Sequence, residues 1–258
     1  YINQHLVNLE PVIPGTFVTE LFAEALQGSD LAPSRIHFRR PMQLRGDELQ
    51  VEVVRDGDAM LLVPAERPDL PPKALSNLSY SSCRLVPRAS LGAADWKIGK
   101  KELKQLAQQS MERSASFYDL LDRKFFRALK TGPVFRGVRA TLEDGDMFYS
   151  TVTLTSAAQA ALAVPGEFVF NPVLADMAVQ VAAAWVMLRH DVMEIPFEIG
   201  TLNAAGPLTG EDAVVICHKN RIADDESSMD VVVRNMDGSL VMTMTDLVLK
   251  AILRGDGQ

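Results

Sequence analysis

Two side chains in this 258-residue sequence, far apart along it, have the type and setting for proton-transfer chemistry. His5 stands just before a proline-punctuated stretch, with Pro14 and Gly15, that opens into an apolar-rich run. An imidazole with an ordinary pKa of about 6.5 is a natural general base at neutral pH. Asp176 lies about one turn inside a second long apolar run. Gln180, four residues on, shares its helical face and can hydrogen-bond it. A carboxyl donates a proton near neutrality only if burial raises its pKa. That burial must outweigh the helix dipole, which favours the ionised form near an N-terminus. Phe168, Phe170, Val173 and Met177 are placed to supply apolar walls around it. His37, His190 and His218 have no motif around them, and Glu20 on the first apolar run has none either, so these read as structural or exposed. Cys83 and Cys217 form no CxxC or Cys/His cluster, which indicates neither a disulfide framework nor a zinc site and fits a reducing compartment.

The elements that must position these groups follow a plan written twice. Phe17, Leu21, Ala25 and Leu26 recur at helical spacing over residues 15–27, and Gly28 follows as a stop. Four strand-like stretches come next, at 36–44, 48–56, 59–65 and 75–87, with turns such as Arg45-Gly46-Asp47 between them. Residues 91–130 shift to a charged helical composition, read as a linker with a helix over 94–114 and a shorter one around 117–129. The second half has strands over 138–145 and 146–156, then a long helix over 172–190 with Asn171 as cap and Pro172 at its first position. Four more strands follow, over 197–206, 213–223, 228–238 and 239–253. One helix followed by several antiparallel strands, repeated, predicts a duplicated α+β unit with an N-terminal unit over 1–90, the helical linker over 91–130 and a C-terminal unit over 131–258.

Composition bounds the partners. With 47% hydrophobic and 23% charged residues the chain can bury a sizeable core as one large or two small domains. A net charge of −7 argues against nucleic acid, although Arg35, Arg39 and Arg40 form a local basic cluster. No apolar run is expected to reach the roughly 18 residues that would span a membrane, so a membrane partner is not expected and a cytoplasmic setting is. Beginning at Tyr1 rather than Met, the sequence reads as a fragment of something longer.

Three ordered motifs carry a resemblance. His5 with Pro14-Gly15 looks like an HxxxGxxxxPG motif, Gly132-Pro133-Val134-Phe135-Arg136-Gly137 is similar to a YGPxFQG segment, and Pro172 to Gln180 is similar to PxLxDxxxQ. Together they resemble the dehydratase domains of polyketide synthases and polyunsaturated fatty acid synthases. The resemblance implies a double hot-dog fold, two curled antiparallel sheets each around a long central helix. It also implies dehydration of a 3-hydroxyacyl group carried on the phosphopantetheine of an acyl carrier protein, with His5 as base and Asp176 as acid. Gln180, Pro14, Gly15, Thr131, Gly132 and Phe135 take supporting positions in it. No metal or bound cofactor is implied, and the partners would be the carrier protein, neighbouring domains of a megasynthase and a second copy in a homodimer.

The sequence departs from the family pattern twice. Leu9 stands where the motif has glycine, which puts a side chain at the turn that presents His5. Thr131 stands where a tyrosine would place a phenol near the acid. These departures leave room for a slowed dehydratase, a pyran-forming or double-bond-shifting relative, a product-template-like cyclase, or a catalytically silent docking or dimerisation module.

Overall fold

A computed structural model describes the chain except residues 1, 45, 47, 67–69, 92–95, 114–115, 126, 163–167, 224 and 255–258. In the N-terminal half the chain runs β1 (His5–Val7), β2 (Glu10–Pro11), α1 (Gly15–Ala25), β3 (Leu31–Phe38), β4 (Val51–Asp56), β5 (Ala59–Pro64), α2 (Pro72–Leu78) and β6 (Ser81–Pro87). The linker holds α3 (Lys100–Arg113), α4 (Ser116–Leu120) with a π-helical continuation over Leu121–Phe125, and β7 (Leu129–Thr131). Then come β8 (Val138–Asp144), β9 (Met147–Thr153), α5 (Ser156–Leu162), α6 (Pro172–His190), β10 (Val192–Ala204), β11 (Asp212–Ile222), β12 (Glu226–Asn235) and β13 (Leu240–Arg254).

One sheet joins both halves, in the order β4-β5-β6-β3-β10-β13-β12-β11-β9-β8, all neighbours antiparallel. The seam between the halves is the pairing of β3 with β10, which joins Ser34, Ile36 and His37 to Thr201, Ile199 and Glu198. Helix α6 packs against β8 to β12, and α1 against β3, β4 and α6. Both helices therefore lie inside the curl of the sheet, the double hot-dog arrangement. An α-helix apolar on all sides must be enclosed, and α6 is buried continuously from Pro172 to Met187. It is long and apolar enough by length and composition to cross a membrane, against the expectation that no such run exists, yet 89% of the relevant window is buried inside the fold. Its ends are set locally: the Asn171 side chain accepts from Leu174 N at 2.9 Å, and Asp191 in a left-handed conformation closes the last turn.

Several predicted boundaries shift. The strand expected over 75–87 is strand only from Ser81, because Pro71 and Pro72 start the short helix α2. The strand expected over 36–44 ends at Phe38. Of the linker helix expected over 94–114, the helical part is Lys100–Arg113, and 94, 95 and 114 lie outside the described residues, as do Arg45 and Asp47 of one predicted turn. That helix is no free spacer. Leu106 is fully buried with Ala140, Tyr149, Val214 and Ile216 on the outer face of the C-terminal sheet. The hairpin β1–β2 and helix α5 were not anticipated.

The β1–β2 hairpin answers the question raised by Leu9. Val7 pairs with Glu10, leaving a two-residue loop of Asn8 (φ 51°) and Leu9 (φ 65°). Two positive φ values in a two-residue loop are the signature of a type I′ turn, for which Asn-Gly is the favoured sequence. Leu9 thus holds the glycine conformation without being glycine, its side chain exposed. Leu9→Val, which adds β-branching at positive φ, is expected to lower stability, and Leu9→Gly, which relieves a left-handed cost of about 1–2 kcal/mol, to leave it unchanged or raise it. Urea unfolding of the two variants checks the order, and a Leu9→Val protein as stable as Leu9→Gly would contradict it.

Candidate active site

His5 is placed by backbone on three sides. It opens β1, pairs across to Thr131 in β7, and its carbonyl accepts from Val12 N at 3.0 Å beyond the turn. Its Nδ1 lies 2.9 Å from the Val12 carbonyl oxygen. A carbonyl only accepts, so Nδ1 carries the hydrogen, and in the neutral ring Nε2 keeps its lone pair. The ring edge meets Phe135 with centroids 5.6 Å apart. Residues 132–135 are clamped to the segment before His5: Gly132 N donates to Gln4 O at 2.6 Å and Val134 N to Gln4 Oε1 at 3.2 Å. A Cβ at Gly132 would stand 2.7 Å from Gln4 Cβ, so glycine is required by the close approach. Gly15 is needed for a similar reason, since a Cβ there would meet the Phe38 ring at 2.8 Å.

Asp176 comes from the other half, one turn inside α6, and is only 7% exposed. Burial raises its pKa above the ordinary carboxylate range, opposed by the nearby charge of His5 and by the Gln180 hydrogen bond. Gln180 Nε2 donates to Asp176 Oδ2 at 2.7 Å and to Phe135 O at 3.1 Å. Tyr118 completes this network. Its phenol accepts from Val138 N at 3.0 Å and lies 3.1 Å from both Gln180 Oε1 and Phe135 O, with its one proton to share between them. A phenol delivered by α4 thus bonds the amide that holds the acid, although none stands at Thr131. Thr131 itself lies directly opposite His5, its hydroxyl buried without a partner. Glu20, whose carboxylate accepts from the N–H groups of Val169 and Phe170, ties α1 to the approach to α6, and burial raises its pKa to about 7.

His5 and Asp176 face one cavity of about 440 Å³, together with Gln180, Pro14 and Gly15. Its apolar walls include Val12, Ile13, Val18, Phe117, Val179 and Met187. The walls predicted from sequence lie elsewhere. Phe170, Val173 and Met177 are buried in the core and Phe168 is half-buried, and none of them lines the cavity. Helical geometry gives the reason for Met177: Asp176, Val179, Gln180, Ala183 and Met187 form one stripe toward the cavity, whereas Met177 is turned about 100° from Asp176, toward Gly137. Thr131, Gly132 and Phe135 stand behind the wall as its support rather than on it. The mouth lies where the seam ends. Beyond the pair His37 with Glu198, β3 and β10 part, and Arg39, Arg40 and Pro41 form one lip while Phe197, Lys250 and Ile252 form the other. Arg39 and Arg40 of the basic cluster seen in the sequence are exposed and held at this mouth by bonds to Ser82, Ser76 and Ser79.

Tyr118 was missed because nothing local marks it. Its partners, Gln180 at 62 residues and Phe135 at 17, exist only in the fold. Tyr118→Phe leaves the Val138 N–H and the Gln180 amide oxygen short of a partner in a buried place, and is expected to cost about 1–3 kcal/mol of unfolding free energy. Urea denaturation measures this, and an unchanged midpoint would remove Tyr118 from the network.

The fold is shared with solved polyketide synthase dehydratases at low sequence identity. A trans-AT dehydratase domain from Brevibacillus brevis matches with a TM-score of 0.74 at 18% identity, covering 98% of this chain and 90% of that one. The dehydratase domain from the CurJ module of the curacin polyketide synthase matches with a TM-score of 0.72 at 13% identity, covering 100% and 89%. An N-terminal dehydratase of the difficidin assembly line gives 0.70 at 15%, covering 99% and 91%. No curated protein matches the sequence itself. A family model described as the polyketide synthase dehydratase N-terminal domain matches residues 99–258, well over half the chain and inclusive of Asp176 and Gln180. On that match the chain belongs to the polyketide synthase dehydratase family.

Proposed function

We propose that this domain removes water from a 3-hydroxyacyl group carried on the phosphopantetheine arm of an acyl carrier protein, giving the 2-enoyl thioester. The observation that carries the reading is the pairing, across one largely apolar cavity, of an imidazole with a free Nε2 and a carboxyl whose burial favours the neutral acid. The thioester acidifies the proton at C2, which His5 Nε2 takes as the C2–C3 double bond forms. The bond from C3 to oxygen breaks, and the hydroxyl leaves with the proton of Asp176 as water. His5 is then protonated and Asp176 ionised, and proton transfer from the first to the second restores the starting pair. Gln180 and Tyr118 hold the carboxyl in orientation throughout. Arg39, Arg40 and Lys250 at the mouth suit an acidic carrier surface or the phosphate of its arm, and neighbouring domains of a megasynthase would deliver the substrate.

The test is turnover of one carrier-bound 3-hydroxyacyl substrate, read as loss of water by mass, with circular dichroism to confirm folding. His5→Ala and Asp176→Asn are each expected to lower kcat by about 10²–10⁴-fold. Gln180→Ala should be milder, about tenfold, since it loosens the acid by about one hydrogen bond. A wild-type protein inert toward every chain, or an Asp176→Asn variant as fast as wild type, would overturn the enzymatic reading and favour a silent docking module.

A further inference from the structure

We infer that Glu20 is a positioning residue for the acid: by holding the turn that leads into α6, its side chain fixes where Asp176 stands against the cavity. This rests on the reading of Asp176 as the proton donor.

Glu20 lies on α1, in the half of the chain that carries His5, and is 2% exposed. Its two oxygens face one short stretch: Oε1 accepts from Val169 N, and Oε2 from Phe170 N at 3.1 Å. These are the last two residues before Asn171, the cap of α6. Phe170 is buried and Val169 half-buried, so their N–H groups need acceptors. Among the described residues no other group outside α6 hydrogen-bonds to residues 168–171. A carboxylate offers each N–H its own oxygen and holds both more strongly than a neutral acceptor does. An amide of the same shape has one oxygen and turns an NH2 toward the other N–H.

The consequence falls on Asp176 because a helix moves with its first turn. Asn171 caps Leu174 N, and Asp176 stands one turn inside the helix so capped. Gln180 steadies the carboxyl from the C-terminal side, while Glu20 steadies the start of the helix, which the Gln180 network does not touch. The anchor is itself part of the site. Helix α1 leaves the cavity wall at Pro14, Gly15 and Val18, so Glu20 ties the helix of the acid to the helix that faces it. Packing of Phe170 in the core keeps the turn dry without setting its direction, whereas two N–H bonds to one carboxylate do set it. Burial, against those two bonds and together with the nearby charge of Glu24, raises the Glu20 pKa to about 7, so the form that accepts twice predominates above that pH.

Three variants test this. Glu20→Gln keeps the shape and removes one acceptor, Glu20→Asp keeps the charge and draws both oxygens back by one methylene, and Leu106→Ala loosens the outer face of the sheet away from the site. At about pH 8, where Glu20 is mostly ionised, both Glu20 variants are expected to lose about ten- to a hundredfold in kcat on one carrier-bound 3-hydroxyacyl substrate. KM should stay within about twofold, and Leu106→Ala should behave as wild type. Carbon-13 NMR of the aspartate carboxyls should show the Asp176 midpoint lowered toward the ordinary value in both Glu20 variants, as water reaches a less closely held carboxyl, and unmoved in Leu106→Ala. This second measurement needs no turnover, and Glu20→Asp serves by itself if Glu20→Gln melts early. A midpoint lowered in Glu20→Gln but not in Glu20→Asp would mean that only a charge was lost, and overturns the inference. A midpoint unmoved in both, or moved equally in Leu106→Ala, overturns it as well, and so does an unchanged kcat in both Glu20 variants. A wild type inert toward every chain, with the midpoint lowered in both Glu20 variants, would count against the proposed reaction and not against the role of Glu20.

Discussion

Desolvation of the Asp176 carboxyl sets the terms for what surrounds it. An acid near a helix N-terminus is pulled toward ionisation by the dipole, and a histidine close by pulls the same way. Only a dry environment reverses the balance, and here a sheet wrapped around α6 supplies it, burying the helix from Pro172 to Met187. The polar groups near the carboxyl orient it at the cost of a pull toward ionisation, which burial outweighs. Gln180 gives it one N–H, and Gln180 is in turn held by Phe135 O and the Tyr118 phenol. The network is therefore a chain, from Val138 N through Tyr118 and Gln180 to Asp176, in which each member fixes the next.

The same enclosure requires both halves of the chain. Neither His5 nor Asp176 lies on the half that carries the other, and the bridge between them is the clamp of residues 132–135 on Gln4 together with the β1–β7 pairing. The cavity opens where β3 and β10 stop pairing, so the seam that unites the sheet also sets the position of its mouth. Joining two curled sheets thus produces the site as a consequence of the join.

Much of this was readable in the residues. Helix α6 was located at both ends because its signals are local, with Asn171 as cap, Pro172 at the first position and an apolar run behind them. Five of the six strands of the C-terminal half fall within three residues of their expected bounds, while β10 starts at Val192 rather than 197. The expectation failed where information was not local. Phe170, Val173 and Met177 are close to Asp176 in sequence, but the cavity is defined by a helical stripe and by strands from the other half, so nearness along the chain misassigned the walls. Tyr118 and Glu194 carry no motif, and their settings arise only when α4 meets α6 and when Ser227 of β12 reaches Glu194 of β10 across β13. Leu9 shows the reverse: it was expected to put a side chain at the turn that presents His5, and the hairpin keeps a tight turn there with that side chain exposed.

The central claim is that burial keeps Asp176 neutral in the resting domain, and it is tested most directly by titrating that one carboxyl. Carbon-13 NMR of protein labelled at aspartate carboxyl carbons, with Asp176→Asn to assign the resonance, follows its ionisation as pH rises. The account predicts a midpoint clearly above the ordinary value of about 3.9, moved further up when the positive charge of His5 is removed in His5→Ala. A resonance that titrates at the ordinary value, or one indifferent to His5, would contradict it.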